Sequence, residues 1–90
     1  MLVLPAELTH TRAMGSLQML LQGLAAQQGP VLVDAAALTH FDSSALAVLL
    51  QCRREALALG RGFGVRSLPQ RLRDLAVVYG VGELLPAAPG

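Results

Sequence analysis

The sequence has few charged residues, a single cysteine and no apolar run long enough to cross a membrane. Charged residues make up 14% of the 90 residues, against about 25% in a typical soluble domain. Cys52 is the only cysteine, so the chain cannot form an internal disulfide. A membrane span needs roughly 18 uninterrupted apolar residues, and the first residues lack the basic and apolar segments of a secretory signal. We therefore expect a cytoplasmic protein with no direct membrane insertion.

The charge balance and the polar residues exclude several functions. Seven basic and six acidic residues give a net charge of +1, which is too little positive charge to predict nucleic-acid binding. His10 and His40 have no neighbouring cysteine, so no metal site is predicted. The glycines of residues 60–64 follow a helical pattern and lack the Gly-Lys-Ser of a phosphate loop. A serine beside His40 lacks the third member of a catalytic triad. We expect no catalytic residues, no cofactor and no enzymatic activity.

Apolar residues are abundant. They make up 53% of the chain, and a 90-residue domain has a core too small to bury all of them. Exposed apolar patches usually mark protein interfaces. The composition therefore favours a protein that binds another protein. Cys52 lies in an apolar helical context, which predicts a packing role for its thiol.

Strand and helix patterns alternate three times along one domain of residues 1–90. This order predicts an α/β fold with a mixed, mainly parallel sheet, helices packed against it and right-handed crossovers. Residues 31–33 are apolar, and residues 31–34 show no alternation, as in a strand buried on both faces. The patterns predict strands at 2–4, 31–34 and 63–67, helices at 9–28, 42–59 and 69–80, a connecting loop at 35–41, a turn or short helix at 81–85, and a tail at 86–90.

The cluster Asp42-Ser43-Ser44 lies where the loop after the second strand meets an apolar helix. One interpretation is capping, with Asp42 as the cap and Phe41 and Leu46 as a hydrophobic staple. Capping does not explain two successive serines followed by a small residue, Ala45. Free N–H groups and the helix dipole favour a phosphate at such a position, although Asp42 would repel it. Capping and a site read by a partner both remain open at this point.

The segment Val31-Leu-Val-Asp34, seven residues, then Asp42-Ser-Ser-Ala-Leu-Ala-Val-Leu-Leu50 resembles a STAS domain, the fold of anti-sigma-factor antagonists. In that family a strand ends in Asp and a later Asp-Ser-Ser-Gly-Leu opens the next helix. The resemblance implies that Ser44 corresponds to the phosphorylated serine of sigma-factor switches. The sequence departs from the family in having Ala45 where glycine is usual. The resemblance covers about residues 2–85.

A narrower resemblance is to MlaB-like STAS subunits, through Leu75-Ala-Val-Val-Tyr-Gly-Val-Gly-Glu-Leu-Leu-Pro86. In these proteins the helix-opening motif is Asp-Thr-Gly-Gly-Leu, whose hydroxyl residue falls on Ser43. The resemblance implies an accessory subunit that binds and supports the ATPase of a phospholipid-transport (Mla-type) ABC transporter, peripheral at the inner membrane through its partners. The alternative is a phosphorylation-regulated anti-sigma-factor antagonist, whose partner is an anti-sigma-factor kinase.

The site predicted from these arguments lies at the start of the second helix and along its outer side. Ser43 and Ser44 are the candidates for phosphorylation or for recognition by the partner. The predicted partner-binding residues are Asp42, Ser43, Ser44, Ala45, Ala47 and Val48.

STAS domains usually begin with an extra strand before the strand predicted at 2–4. Its apparent truncation predicts an open sheet edge, which calls for covering. A partner, a homodimer or a misassigned start codon would each explain the missing strand.

Overall fold

The structure is a computed structural model that describes residues 1–88. Its elements alternate between short strands and helices, as the sequence patterns predict. They are β1 (Leu2–Val3), β2 (Glu7–Leu8), α1 (His10–Ala26), β3 (Val31–Asp34), β4 (His40–Phe41), α2 (Ser44–Ala58), β5 (Phe63–Arg66), α3 (Gln70–Val78) and a 3₁₀ helix (Gly82–Leu84). The α/β fold class is confirmed.

The main sheet has the order β1-β3-β5 and all its strands are parallel. The central strand β3 is the most buried, with Val31 1% and Val33 0% exposed. Leu32 is only half-buried, so burial on the second face is less complete than the unbroken apolar run predicts. The strands are short, and the helices that connect them supply much of the core.

The prediction of a tail at 86–90 was wrong for residues 86–88, which pair with β5. The Val65 N–H donates to the Pro86 carbonyl and the Ala88 N–H donates to the Val65 carbonyl, both at 2.9 Å. This segment therefore adds to the β5 edge of the sheet, while β1 forms the opposite edge. Residues 89 and 90, the rest of the expected tail, lie outside the described residues.

The predicted loop at 35–41 contains a strand that sequence reasoning missed. Its last two residues form β4, which pairs in parallel with β2 through the register Glu7↔His40 and Leu8↔Phe41. Both strands immediately precede a helix. The pairing therefore places the start of α1 beside the start of α2, which is the geometry on which the candidate site depends.

The core is a single apolar cluster with no buried polar or charged residue among those described. Cys52 is fully buried in it, and burial raises the pKa of its thiol to about 11, with a smaller contribution from the Glu55 charge. These observations support the packing role predicted for Cys52.

The start of α3 has no side-chain cap among residues 1–88. Pro69 occupies the cap position, and the Gln70 amide donates to the Asp74 carboxylate. Tyr79 is 59% exposed. Tyr79 lies just after α3 and lines a surface depression together with residues of α2.

Candidate functional site

The carboxylate of Asp42 joins the beginnings of two helices. Its Oδ1 accepts the backbone N–H of Ser44 at 2.8 Å, and its Oδ2 accepts the backbone N–H of His10, the first residue of α1, at 3.0 Å. Free N–H groups at helix N-termini need acceptors, and one side chain satisfies a donor in each helix. The capping interpretation of Asp42 is thus correct but incomplete.

The electrostatics follow from this geometry. The pKa of the Asp42 carboxyl is lowered from its ordinary value of 3.8, mainly by the backbone N–H of His10 and then by that of Ser44. Both hydrogen bonds favour the charged form. The carboxylate is therefore ionised at neutral pH and holds the α2 N-terminus in place beside α1.

The two serines have different surroundings. Ser43 already has helical backbone angles (φ −62°, ψ −17°) and is exposed, and its side chain caps nothing. Ser44 is half-buried and its N–H is held by Asp42. A partner that approaches the start of α2 therefore meets the Ser43 hydroxyl first.

Two of the predicted partner-binding residues lie inside the domain. Ala45 is 0% and Val48 is 3% exposed, and both belong to the core. The helix α2 packs against α1 and also contacts β5. It is therefore buried over more of its circumference than a helix with a single buried face. The role of Ala45 and Val48 is corrected to packing. Ala47, in contrast, is exposed as expected.

The outer side of α2 carries a continuous apolar surface. Two adjoining shallow depressions share Ala47 and Leu50 in their linings. We call their combined surface the α2 groove. It is lined by Ser43, Leu46, Ala47, Leu50, Gln51, Arg53, Arg54, Leu57, Tyr79, Val81 and Leu84.

The α2 groove has one hydroxyl end and one basic end. Ser43 lies at the start of the helix, and positions 43, 47, 50, 54 and 57 repeat at the three-four spacing of one helix face. Leu57 is 49% and Leu84 36% exposed. An apolar surface of this kind, outside the core, is typical of a protein interface.

Of the predicted partner-binding residues, Ser43 and Ala47 line the groove, whereas Asp42, Ser44, Ala45 and Val48 do not. The half of the groove that follows α3 was not predicted. Tyr79, Val81 and Leu84 follow α3 and reach the groove only because the chain folds back toward α2. The available signal was the apolar segment of residues 75–86, which carried the family resemblance without indicating its position in space.

A second depression borders the site on its other side. Its lining includes Phe41, Asp42, Arg71 and Leu75. The Arg71 guanidinium lies 5.7 Å from the centre of the Phe41 ring, a cation–π arrangement. Phe41 and Leu46, the two residues of the expected staple, are both part of the apolar cluster. This packing fixes the chain just before Asp42.

Neither a metal-ligand cluster nor a membrane-spanning helix is found in residues 1–88. No group of three or more His, Cys, Asp or Glu side chains in that range is arranged to hold a metal ion. Within the same residues, every helix is too short or too polar to cross a bilayer.

The fold and the Asp42-Ser43-Ser44 turn at the start of α2 define a STAS-domain protein. A family model described as "Mlab, STAS domain" matches residues 1–86, and the chain belongs to this family. Among curated proteins, none matches the sequence.

Proposed function

We propose that this protein is a non-enzymatic accessory subunit that binds the ATPase of a phospholipid-transport ABC transporter. The observation that carries the proposal is the exposed apolar groove along α2 in a member of the MlaB STAS family, with Ser43 at the N-terminal end of that groove. In this proposal the protein is held at the inner membrane only through its partners.

The proposed mechanism is surface docking. Ala47 is small and exposed, and Leu50 is half-buried, so an apolar ridge of the ATPase can approach the helix closely. The Ser43 hydroxyl can donate to or accept from a polar group of the partner at the edge of that contact. Asp42, which was predicted to bind the partner, does not line the groove. It acts by positioning, since it fixes α2 against α1.

The domain would support the ATPase without performing chemistry. A bound rigid subunit stabilises whichever arrangement of its partner it binds best. The α2 groove would favour the arrangement that is productive for ATP hydrolysis. Removing the interaction is then expected to lower both the yield of assembled complex and its ATPase rate.

The direct test is binding to the purified ATPase subunit of the phospholipid transporter from the same host. Ala47→Glu places a charge in the groove and is expected to abolish binding and the stimulation of ATP hydrolysis. Met14→Glu is the matched control, because Met14 is 68% exposed on α1 and lies outside the groove. Equal binding by wild type and Ala47→Glu, or no binding by wild type, would refute the proposal.

A second candidate function is the phosphorylation-regulated anti-sigma-factor antagonist, with Ser44 as the modified residue. The observation that favours it is the contact between Ser44 and Asp42. A phosphate on Ser44 would be repelled by the carboxylate and would disturb the link between α1 and α2. A mass increase of one phosphate on Ser44 in protein purified from its host, with a bound serine kinase, would support this candidate over the transporter subunit.

A further inference from the structure

The basic end of the α2 groove forms no ion pair within the described part of the chain. Arg53 and Arg54 line it together with Leu57 and Leu84. Within residues 1–88, the ion pairs are Arg12–Glu7 and Arg66–Asp34, and neither includes these two arginines. Their guanidinium groups are therefore free to bind a carboxylate from outside.

The rest of the lining contains no acidic residue. The nearest carboxylate along the helix is that of Glu55, which accepts a hydrogen bond from the Gln51 amide at 3.3 Å and does not line the groove. An apolar floor with only positive charge at its rim is complementary to an apolar ridge flanked by negative charge.

We propose that the α2 groove binds an amphipathic helix of the partner whose apolar face is flanked by Glu or Asp residues that pair with Arg53 and Arg54. This proposal deepens the proposed function and rests on the same groove being the docking surface. An amphipathic helix laid into an apolar groove is a common mode of protein recognition. Arginine suits the rim because its planar guanidinium can bind a carboxylate through two parallel hydrogen bonds.

A membrane surface is the main competing occupant, because anionic lipid also attracts arginines beside apolar groups. The structure favours the helix. The apolar residues line a depression between α2 and the segment after α3. Binding to a bilayer would instead require apolar side chains that project from the surface into the lipid. The net charge of +1 also gives little general attraction to an anionic surface.

Two peptide probes test the proposal independently of the ATPase. Both are helices of about 18 residues with a leucine face, long enough for partial helicity in water, and they carry either Glu or Lys at the flanking positions. At low salt we expect the Glu peptide to bind the wild-type protein about tenfold more tightly than the Lys peptide. Near 1 M salt, where charges are screened beyond about 3 Å, the difference should largely disappear.

Variants identify the residues responsible. The double variant Arg53→Gln/Arg54→Gln should remove the preference for the Glu peptide, and Arg53→Lys/Arg54→Lys should retain part of it. The charge-matched control is Arg12→Gln/Arg73→Gln, which changes arginines on α1 and α3 outside the groove and should leave the preference intact. Shifts of backbone amide resonances should place the peptide on residues 43–57 and 79–84.

The proposal is overturned if both peptides bind equally, if neither binds, or if the preference survives in Arg53→Gln/Arg54→Gln. Binding to phosphatidylglycerol vesicles through the same arginines, with no peptide preference, would also overturn it and assign the groove to lipid. The proposed function can be rejected separately, if the peptide preference holds but the purified ATPase does not bind. Conversely, if Ala47→Glu abolishes ATPase binding but the wild-type protein binds both peptides equally, the proposed function is retained and the acidic helix is rejected.

Discussion

The carboxylate of Asp42 accepts the backbone N–H of His10, 32 residues earlier in the chain, at 3.0 Å. With its other oxygen it accepts the N–H of Ser44 at 2.8 Å. A single side chain thereby ties the start of α1 to the start of α2. Because Ser43 and the groove follow directly from Asp42, this link determines how the proposed docking surface is presented.

Replacing Asp42 should destabilise the protein through both helices. Asp42→Ala leaves one donor unsatisfied in each helix, so its urea midpoint should fall below that of wild type, and Asp42→Asn should lie between them because its amide oxygen still accepts. Amide exchange should accelerate at both His10 and Ser44. Asp74→Ala is the control, since within residues 1–88 that exposed carboxylate accepts only from the Gln70 side chain. Faster exchange at Ser44 alone would show that the link to α1 does not contribute.

The same link predicts a pH dependence with a definite sign. The pKa of Asp42 in the folded protein lies below its ordinary value of 3.8, because the N–H groups of His10 and Ser44 stabilise the charge. The carboxylate of Asp42 therefore takes up a proton at a higher pH in the unfolded chain than in the folded protein. The stability that Asp42 contributes is complete above about pH 5 and is lost as the pH falls through the lower pKa of the folded protein. Urea unfolding of wild type and Asp42→Asn between about pH 3 and 7 checks this. Their difference should shrink only at the acid end, and a constant difference would contradict the prediction.

Cys52 should be unreactive in the folded protein. Its thiol is 0% exposed and its pKa is raised to about 11 from 9.0, so near pH 8 the reactive thiolate is about a hundredfold scarcer than in an unperturbed thiol. Labelling with a disulfide reagent should be slow in buffer and fast in concentrated urea. Rapid labelling without denaturant would mean that α2 opens readily.

Arg61, which is distant from α1 in the sequence, should stabilise the C-terminal end of that helix. Its Nη1 donates to the Leu24 carbonyl at 2.7 Å and its Nε donates to the Gly29 carbonyl at 2.6 Å. Hydrogen bonds to charged groups contribute roughly 1.5–3 kcal/mol each in mutational series. The Nη2 of Arg61 is buried without a hydrogen-bond partner among the described residues, which offsets part of that gain, so Arg61→Ala should lower the free energy of unfolding by about 2 kcal/mol. Arg12→Ala is the control, because its ion pair with Glu7 is 3.7 Å long and exposed and should contribute under about 0.5 kcal/mol. Equal effects of the two changes in urea unfolding would contradict this reading of Arg61.

The helices and the main strands could be predicted from the sequence because their signals are local. Apolar spacing and the stop signals at Gly29-Pro30 and Gly60 located α1 and α2 to within two residues at each end. Gly60 has a φ of +70°, the left-handed conformation that a glycine cap supplies. The strands β2 and β4 were missed because each has only two residues and no apolar alternation to mark it.

The candidate site was predicted only in part, because its geometry depends on contacts between distant segments. Asp42 was identified as a cap of α2, but its bond to His10 exists only through the β2–β4 pairing. Val48 was expected at the surface because the helix pattern was interpreted with one buried face. The helix α2 packs against α1 as well as β5, and Val48 is buried in the core cluster.

Hydrogen exchange of the protein, measured with and without the purified ATPase subunit of the phospholipid transporter from its host, would map the surface that the ATPase covers. We predict slower exchange on binding in residues 43–57 and 79–84, which include the lining of the α2 groove, and no change on the α1 surface around Met14 and Met19. Protection confined to α1 or to the β1 edge, or no protection at all, would contradict it.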